Sequence, residues 1–213
     1  MKVMICDDEA IVRDGLEMLL KLEPDIEIVG VASNGTQAVE TTEQENPDLV
    51  LMDLKMPCMN GVEATREIRT KCPEVKVLVL TTYDDDEWVL DAIRAGASGY
   101  LLKDTPREGL INAIRGTMAG KTYVDPSVAS KILERFPGQQ KQSRMLITGR
   151  LTKREKEILR LLALGSNNEE ISKQLYLSVG TVRNHISTIL HKMGVSDRTQ
   201  AAILAIKAGL GRA

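Results

Sequence analysis

The chain has 213 residues, 43% of them hydrophobic, with 28 Lys plus Arg against 30 Asp plus Glu. That length suits one or two domains, and the hydrophobic share excludes a wholly disordered chain. No apolar run approaches the ~18 residues of a membrane span, the N-terminal apolar stretch is too short for a signal peptide and runs straight into acids at Asp7 and Asp8, and three cysteines at unrelated spacings (Cys6, Cys58, Cys72) fit the reducing cytoplasm better than a disulfide framework or a zinc site.

The net charge of -2 conceals an asymmetry. Residues 1–120 carry 12 basic and 23 acidic side chains, a balance of -11; residues 121–149 carry +3 and residues 150–213 carry +6. Opposite fields at the two ends imply two domains with different partners, the basic one suited to a polyanion such as nucleic acid.

In chain order, short apolar runs occur at residues 3–6, 26–31, 49–52, 75–80 and 99–102. Several are apolar almost throughout, as parallel strands covered on both faces must be. Amphipathic stretches of helical length lie between them. Val12, Leu16, Leu19 and Leu20 share one stripe of the first, and Val62, Thr65, Ile68 and Arg69 recur at three- and four-residue steps in the third. Five strands alternating with five helices predict an open α/β sheet with right-handed crossovers. Beyond it, Asp125 and Pro126 predict a short helix ending near Phe136, followed by a polar linker from Pro137 to Ser143.

From Leu151 the strand pattern is gone. Thr152 and Glu155 form a capping box that opens a helix carrying Ile158, Leu161 and Leu162, stopped by Gly165. Ser166 or Asn167, with Glu169 or Glu170 three residues later, opens a second helix to about Leu175. A four-residue turn, Tyr176 to about Val179, leads to a third, capped by Ser178, with Val182, Ile186, Ile189, Leu190 and Met193 on its apolar stripe and Gly194 at its end. Asp197 and Gln200 open a fourth, with Ile203, Leu204 and Ile206.

Ligands of an open parallel sheet bind outside the carboxyl ends of its strands, near the reversal of strand order. Asp7 and Asp8 follow the first strand and Asp53 the third. If those strands are neighbours, three carboxylates share a pocket, where they repel unless a cation binds or one protonates. Oxygen ligands suit Mg²⁺, and a carboxylate beside it can become a nucleophile that forms an aspartyl phosphate. Thr81 ends the fourth strand, where a hydroxyl can bond a phosphoryl oxygen; Lys103 ends the fifth, where an ammonium can neutralise one. Any one of these has a duller explanation in helix capping or solvation, but five such residues at the ends of four strands do not.

These residues carry a resemblance. Cys6-Asp7-Asp8-Glu9, Leu51-Met52-Asp53-Leu54-Lys55-Met56-Pro57, Gly61, Leu80-Thr81-Thr82-Tyr83, Ala95-Gly96-Ala97 and Gly99-Tyr100-Leu101-Leu102-Lys103 resemble the receiver domain of bacterial two-component response regulators, across residues 1–120. The resemblance implies a flavodoxin-like five-stranded receiver. It implies that Asp53 is phosphorylated by a sensor histidine kinase. It further implies Mg²⁺ held by Asp8, Asp53 and the backbone carbonyl of Lys55, with Asp7 helping through water. Thr81 and Lys103 would hold the phosphoryl group, and Tyr100 would be the aromatic switch that turns inward. Asp104 stands where many receivers have Pro after the lysine, which leaves the geometry of the Lys103–Asp104 bond open. The acidic run Asp84 to Glu87 suits a solvated helix start. Trp88, on the same helix, fits core packing or a reporter of switching.

The second and third C-terminal helices fit a helix-turn-helix. The third presents Arg183, Asn184, Ser187 and Thr188 away from its apolar stripe; Arg suits guanine edges and Asn adenine. Thr181 lies in its first turn, where a phosphate is welcome, and His185 and Lys192 could add backbone contacts. The runs 151–159, 168–171 and 181–186, with Gly165, Leu175, Leu177-Ser178 and 192–195, resemble the LuxR-type four-helix DNA-binding domain. Joined to a receiver, that resemblance implies the NarL/FixJ class, with Arg183, Asn184 and Ser187 at base-facing positions; Ser187 departs from members with Lys there. It also implies a dimer on promoter DNA when phosphorylated, with Ala202, Ile203, Ile206 and Leu210 as contact candidates.

The reading is therefore a receiver over residues 1–120, a linker with a short helix over 121–150 and a small all-α helix-turn-helix domain over 151–213: a phosphorylation-controlled, cytoplasmic transcription factor and not an enzyme. Three alternatives remain: a Mg²⁺-dependent aspartyl-phosphate phosphohydrolase, a regulator independent of phosphorylation, and an interaction adaptor.

Overall fold

The computed structural model describes residues 1–82, 86–124, 151–195, 197–208 and 210. The helix expected from Asp125 to Phe136, the polar linker after it and Asp84 and Asp85 lie outside the described residues. The chain divides into two compact units, Met1–Met118 and Ala119–Ala213.

In the first unit the alternation becomes β1 (Lys2–Cys6), α1 (Ala10–Leu20), β2 (Glu27–Ala32), α2 (Gly35–Glu45), β3 (Leu49–Met52), α3 (Gly61–Lys71), β4 (Lys76–Thr81), α4 (Asp86–Arg94), β5 (Gly99–Leu102) and α5 (Arg107–Met118). The strands are parallel in the order β2-β1-β3-β4-β5. That is the flavodoxin-like order, and its reversal falls between β1 and β3. Side chains alternate across the sheet. Met4, Cys6, Val50, Met52 and Val77 share one cluster with Ala38 and Val39 of α2 and Ala64 and Ile68 of α3. Val3, Ile5, Leu49, Leu51 and Leu78, one register step away, are equally buried on the other face. Both faces are covered, which is why the strands lack polar alternation.

The helix starts are set locally. Asn60 accepts from the amides of Val62 and Glu63 while Glu63 reaches back to the Asn60 amide, a complete capping box for α3. Asn34 caps α2 by accepting from the Gln37 amide at 3.0 Å. Gly61 is a place where only glycine fits: a Cβ there would lie 1.9 Å from the Asp53 carbonyl oxygen. The start of α3 thus presses directly on the backbone that carries Asp53.

The helical unit consists of α6 (Lys153–Ala163), α7 (Asn168–Leu175), α8 (Val179–Met193) and α9 (Arg198–Lys207). Its core is Ile158, Leu159, Leu162, Ile171, Val182, Ile186, Ile189, Ala201 and Ala205, with Leu151 closing one end. Leu161 is only half-buried, and Leu159 takes the interior place. The structure selects Asn167 and Glu170 as the capping box of α7, over Ser166 and Glu169. The turn before α8 has three residues, Tyr176 to Ser178, and Tyr176 makes it tight by taking a left-handed conformation (φ 55°). Gly194 ends α8 at φ 68°, where a side chain would be strained. The segment ahead of the bundle belongs to the same unit: Lys121 Nζ lies 2.5 Å from Glu170 Oε1.

Candidate functional site

The site forms because β1 and β3 are neighbours, with Cys6 opposite Met52. The residues that follow each strand emerge together, and Asp53 is tied in register by its amide, which donates to the Cys6 carbonyl at 2.8 Å. The carboxylates of Asp7, Asp8 and Asp53 each offer an oxygen within 4.8 Å of the others. Asp7 and Asp53 are buried and Asp8 is exposed, so the pocket has a charged floor and an open mouth.

Two further strand ends complete it. Lys103 lies just after β5 and its amide donates to the Thr81 carbonyl at 2.9 Å, which fixes the spacing of the last two strands at the site. The Lys103 ammonium is 2.7 Å from Asp7 Oδ2, 3.4 Å from Glu9 Oε1 and 3.7 Å from Asp53 Oδ2. Burial pushes its pKa down, but the hydrogen bond to Asp7 and the charges of Asp53, Asp7 and Glu9 outweigh that and raise it. Lys103 is thus a fixed cation.

Asp53 is held the opposite way. Burial raises its pKa more than the Lys103 charge and the Thr81 hydroxyl lower it, and Asp7 raises it further. Its Oδ1 is buried with no hydrogen-bond partner. A buried unpaired carboxylate oxygen costs stability, and such groups concentrate where a ligand will satisfy them. Cys6, beneath the site, has its thiol pushed far up by burial and the neighbouring carboxylates, so it stays a neutral packing group. Thr81 is fully buried at the end of β4. Tyr100, expected to turn inward on switching, is already 1% exposed, opposite Val79. Lys55, half-buried, lies in the loop between β3 and α3. The Lys103–Asp104 bond is trans.

The second functional surface is on α8. Arg183, Asn184, Ser187 and Thr188 are all exposed, while Val182, Ile186 and Ile189 are buried on the opposite stripe. Ser178 caps the helix by accepting from the Thr181 amide at 3.0 Å, and its hydroxyl lies 2.8 Å from that of Thr181. His185 is half-buried. Lys192 is committed inside the domain: its ammonium donates to both oxygens of Glu155 at 2.7 and 2.8 Å. Of the candidate dimer residues, Ala202 and Ile203 are buried inside the unit, whereas Ile206 and Leu210 are half-buried.

Sequence reasoning passed over the long-range contacts of three residues. Glu9 contacts Lys103; its signal was a glutamate at a helix N-cap, a position it serves poorly. Glu155 is the partner of Lys192; nothing in a spacing of 37 residues pairs them. Arg198 sends its guanidinium to the Ser166 carbonyl at 2.7 Å and to Asn168 Oδ1 at 3.3 Å, clamping α9 onto the start of α7.

A doubly wound parallel sheet with clustered aspartates, a lysine and a threonine at its carboxyl edge, joined to a helix-turn-helix unit, defines a receiver-type switch coupled to a DNA-binding module. Comparison with known proteins agrees. Residues 3–115 match the response regulator receiver domain family, and residues 149–205 match the bacterial regulatory proteins of the luxR family. The transcriptional regulatory protein LiaR of Bacillus subtilis is 42% identical over 204 residues, covering 96% of each chain. The transcriptional regulatory protein DegU of Brevibacillus brevis is 40% identical over 221 residues, covering 98% of this chain and 94% of that one. The crystal structure of the response regulator ChrA of a heme-sensing two-component system is 35% identical, with 98% of each chain covered and a TM-score of 0.55. The protein therefore belongs to the response regulators that join a receiver to a LuxR-type DNA-binding domain, the NarL/DegU type of transcriptional regulator. Among the described residues no helix is long and apolar enough to cross a membrane.

Proposed function

We propose that Asp53 accepts a phosphoryl group from a sensor histidine kinase and that this modification controls how the 151–213 domain binds promoter DNA. The observation that carries the reading is the convergence of Asp7, Asp8 and Asp53 within 4.8 Å, with Lys103 at 3.7 Å from Asp53. An Asp53 carboxylate oxygen attacks phosphorus, a new O–P bond forms, and the N–P bond of the donor phosphohistidine breaks with its electron pair going to the imidazole. Lys103 neutralises one phosphoryl oxygen and the Thr81 hydroxyl donates to another.

An all-oxygen donor set with one buried, unpaired carboxylate oxygen fits a hard divalent cation. Asp8, Asp53 and the Lys55 carbonyl would hold Mg²⁺ directly and Asp7 through water; when bound, it offsets the negative charge of the transferring group. The chain acts as a switch and not as a turnover enzyme. Residues 1–120 form the receiver and 121–150 the connection. On the helical domain Arg183 and Asn184 read base edges, with Ser187 beside them, and Thr181 and His185 face the backbone. Lys192 contributes through Glu155 to the stiffness of α8. Phosphorylated chains pair as homodimers, which joins two half-site contacts by effective concentration, with Ile206 on α9 and Leu210 beyond its end the candidates still partly open to a partner. The protein works in the cytoplasm.

Labelling by a small phosphodonor tests the site. The parent chain takes up phosphate and forms more DNA-bound dimer, whereas Asp53→Ala takes up none and its DNA binding ignores the donor. Equal labelling of the two, or an unchanged operator affinity after full labelling of the parent, would refute the reading.

A further inference from the structure

Glu9 occupies the N-cap of α1 with extended backbone, yet its side chain accepts nothing from the first turn of the helix. An N-cap side chain is favoured because it satisfies an orphan amide, a task for the short arms of Ser, Thr, Asp and Asn. The neighbourhood is tied down by Asp7 instead. Its Oδ1 accepts from the Glu9 amide at 3.0 Å, and its carbonyl accepts from the Arg13 guanidinium at 2.7 Å. Freed from capping, the Glu9 carboxylate stands 3.4 Å from the Lys103 ammonium.

That contact matters because Lys103 has rival partners. Its closest carboxylate is Asp7 at 2.7 Å, Glu9 is next, and the nucleophile Asp53 is the farthest at 3.7 Å. The ammonium is therefore drawn toward the α1 side of the pocket. A phosphoryl group arriving on Asp53 must draw the same ammonium toward itself. Every carboxylate that holds it elsewhere makes that exchange less favourable, since the attraction of a compact point charge is shared among its neighbours.

We propose that Glu9 is a positioning residue that restrains Lys103 in the unmodified site and thereby sets how readily the site takes up, and how tightly it keeps, a phosphoryl group. The inference rests on Asp53 being the phosphoacceptor. In transfer from acetyl phosphate, an Asp53 oxygen forms the O–P bond, the bond from phosphorus to the acetyl oxygen breaks, and acetate leaves with the electron pair. No proton passes through Glu9 and it touches no reacting atom; it acts through Lys103. Because Glu9 is 56% exposed, its hold is moderate and weakened by salt.

The test uses the full chain with Mg²⁺. Uptake from sub-saturating acetyl phosphate gives one readout, and calorimetric affinity for beryllium fluoride, a phosphoryl mimic, gives a second that needs no turnover. Glu9→Gln raises initial uptake and tightens beryllium fluoride binding by roughly threefold at low salt, the scale of an exposed ion pair. Most of that gain is gone at about 0.5 M salt, where the screening length falls to a few ångströms. Glu9→Asp, which keeps the charge on a shorter arm, falls between parent and Glu9→Gln. Asp14→Asn removes the same charge from the exposed side of α1 and leaves both readouts unchanged. An unchanged affinity in Glu9→Gln, a gain that survives high salt, or an equal gain in Asp14→Asn overturns the proposal. A folded parent that neither labels nor binds beryllium fluoride overturns the phosphoacceptor reading itself, and the inference with it.

Discussion

The two units treat a buried carboxylate in opposite ways. In the helical unit, Glu155 is satisfied throughout: it closes the capping box with Thr152 and receives both contacts of the Lys192 ammonium. The Lys192 hydrogen bond, then the Thr152 amide, hold its pKa below the usual carboxylate range. In the sheet unit, Asp53 is crowded by Asp7 and keeps an unpaired oxygen, and burial pushes its pKa up. Glu155 is paired within its own unit, whereas one Asp53 oxygen stays buried without a partner. The contrast sets a satisfied carboxylate beside an unsatisfied one, and perturbed unsatisfied groups concentrate at functional sites.

The largest effect that probes this contrast is at Gly61→Ala. A Cβ 1.9 Å from the Asp53 carbonyl forces α3 away from the site, and we expect a loss of about 3 kcal/mol, the upper range for overpacking. Thermal unfolding of the sheet unit checks it, and a stable variant would show that α3 does not brace Asp53.

Next is Glu155→Ala, which strands Lys192 and opens the α6 cap. The expected loss is about 2 kcal/mol, below the fully buried limit because Lys192 is partly solvated. The same pair has a pH signature. A carboxyl whose folded pKa is depressed contributes stability that is present above its unfolded value, near 4.5, and lost as pH falls through the folded value. The opening free energy of residues 153–163, taken from amide exchange corrected for the intrinsic rate at each pH, should fall below about pH 4.5 in the parent, and Glu155→Gln should flatten that dependence.

Arg183→Ala should weaken specific DNA binding by about 1–3 kcal/mol at fixed salt while leaving stability unchanged, because the side chain is exposed. An unchanged footprint would remove Arg183 from base reading. The smallest effect runs the other way. Asp53→Asn, measured without divalent cations, should stabilise the sheet unit by about 1 kcal/mol, since the neutral amide relieves repulsion and can donate to Asp7. A destabilised variant would break the contrast with Glu155.

Much of the fold was legible because strands and helices differ in hydrophobic period. The apolar runs located the five strands of the first unit to within a residue at each end, the third and fifth without error, but missed the two-residue strand Tyr123–Val124. Caps were legible for a similar reason: Thr152, Ser178 and Asp197 act within one turn of chain. The helix-turn-helix face followed from the same periodicity. The pairing of Lys192, one of the expected DNA contacts, with Glu155 was not legible, because the two lie 37 residues apart.

From the chain alone came every property that depends on neighbours within a turn or a strand: element type, caps, and the charge carried by each region. Which acids share a pocket was decided in three dimensions, by the pairing of β1 with β3 that sets Asp7 and Asp53 side by side. So was the pull of Glu9 on Lys103 across 94 residues of sequence. Electrostatic interactions act through space and follow strand order, and local pattern carries no record of which strands will lie next to one another.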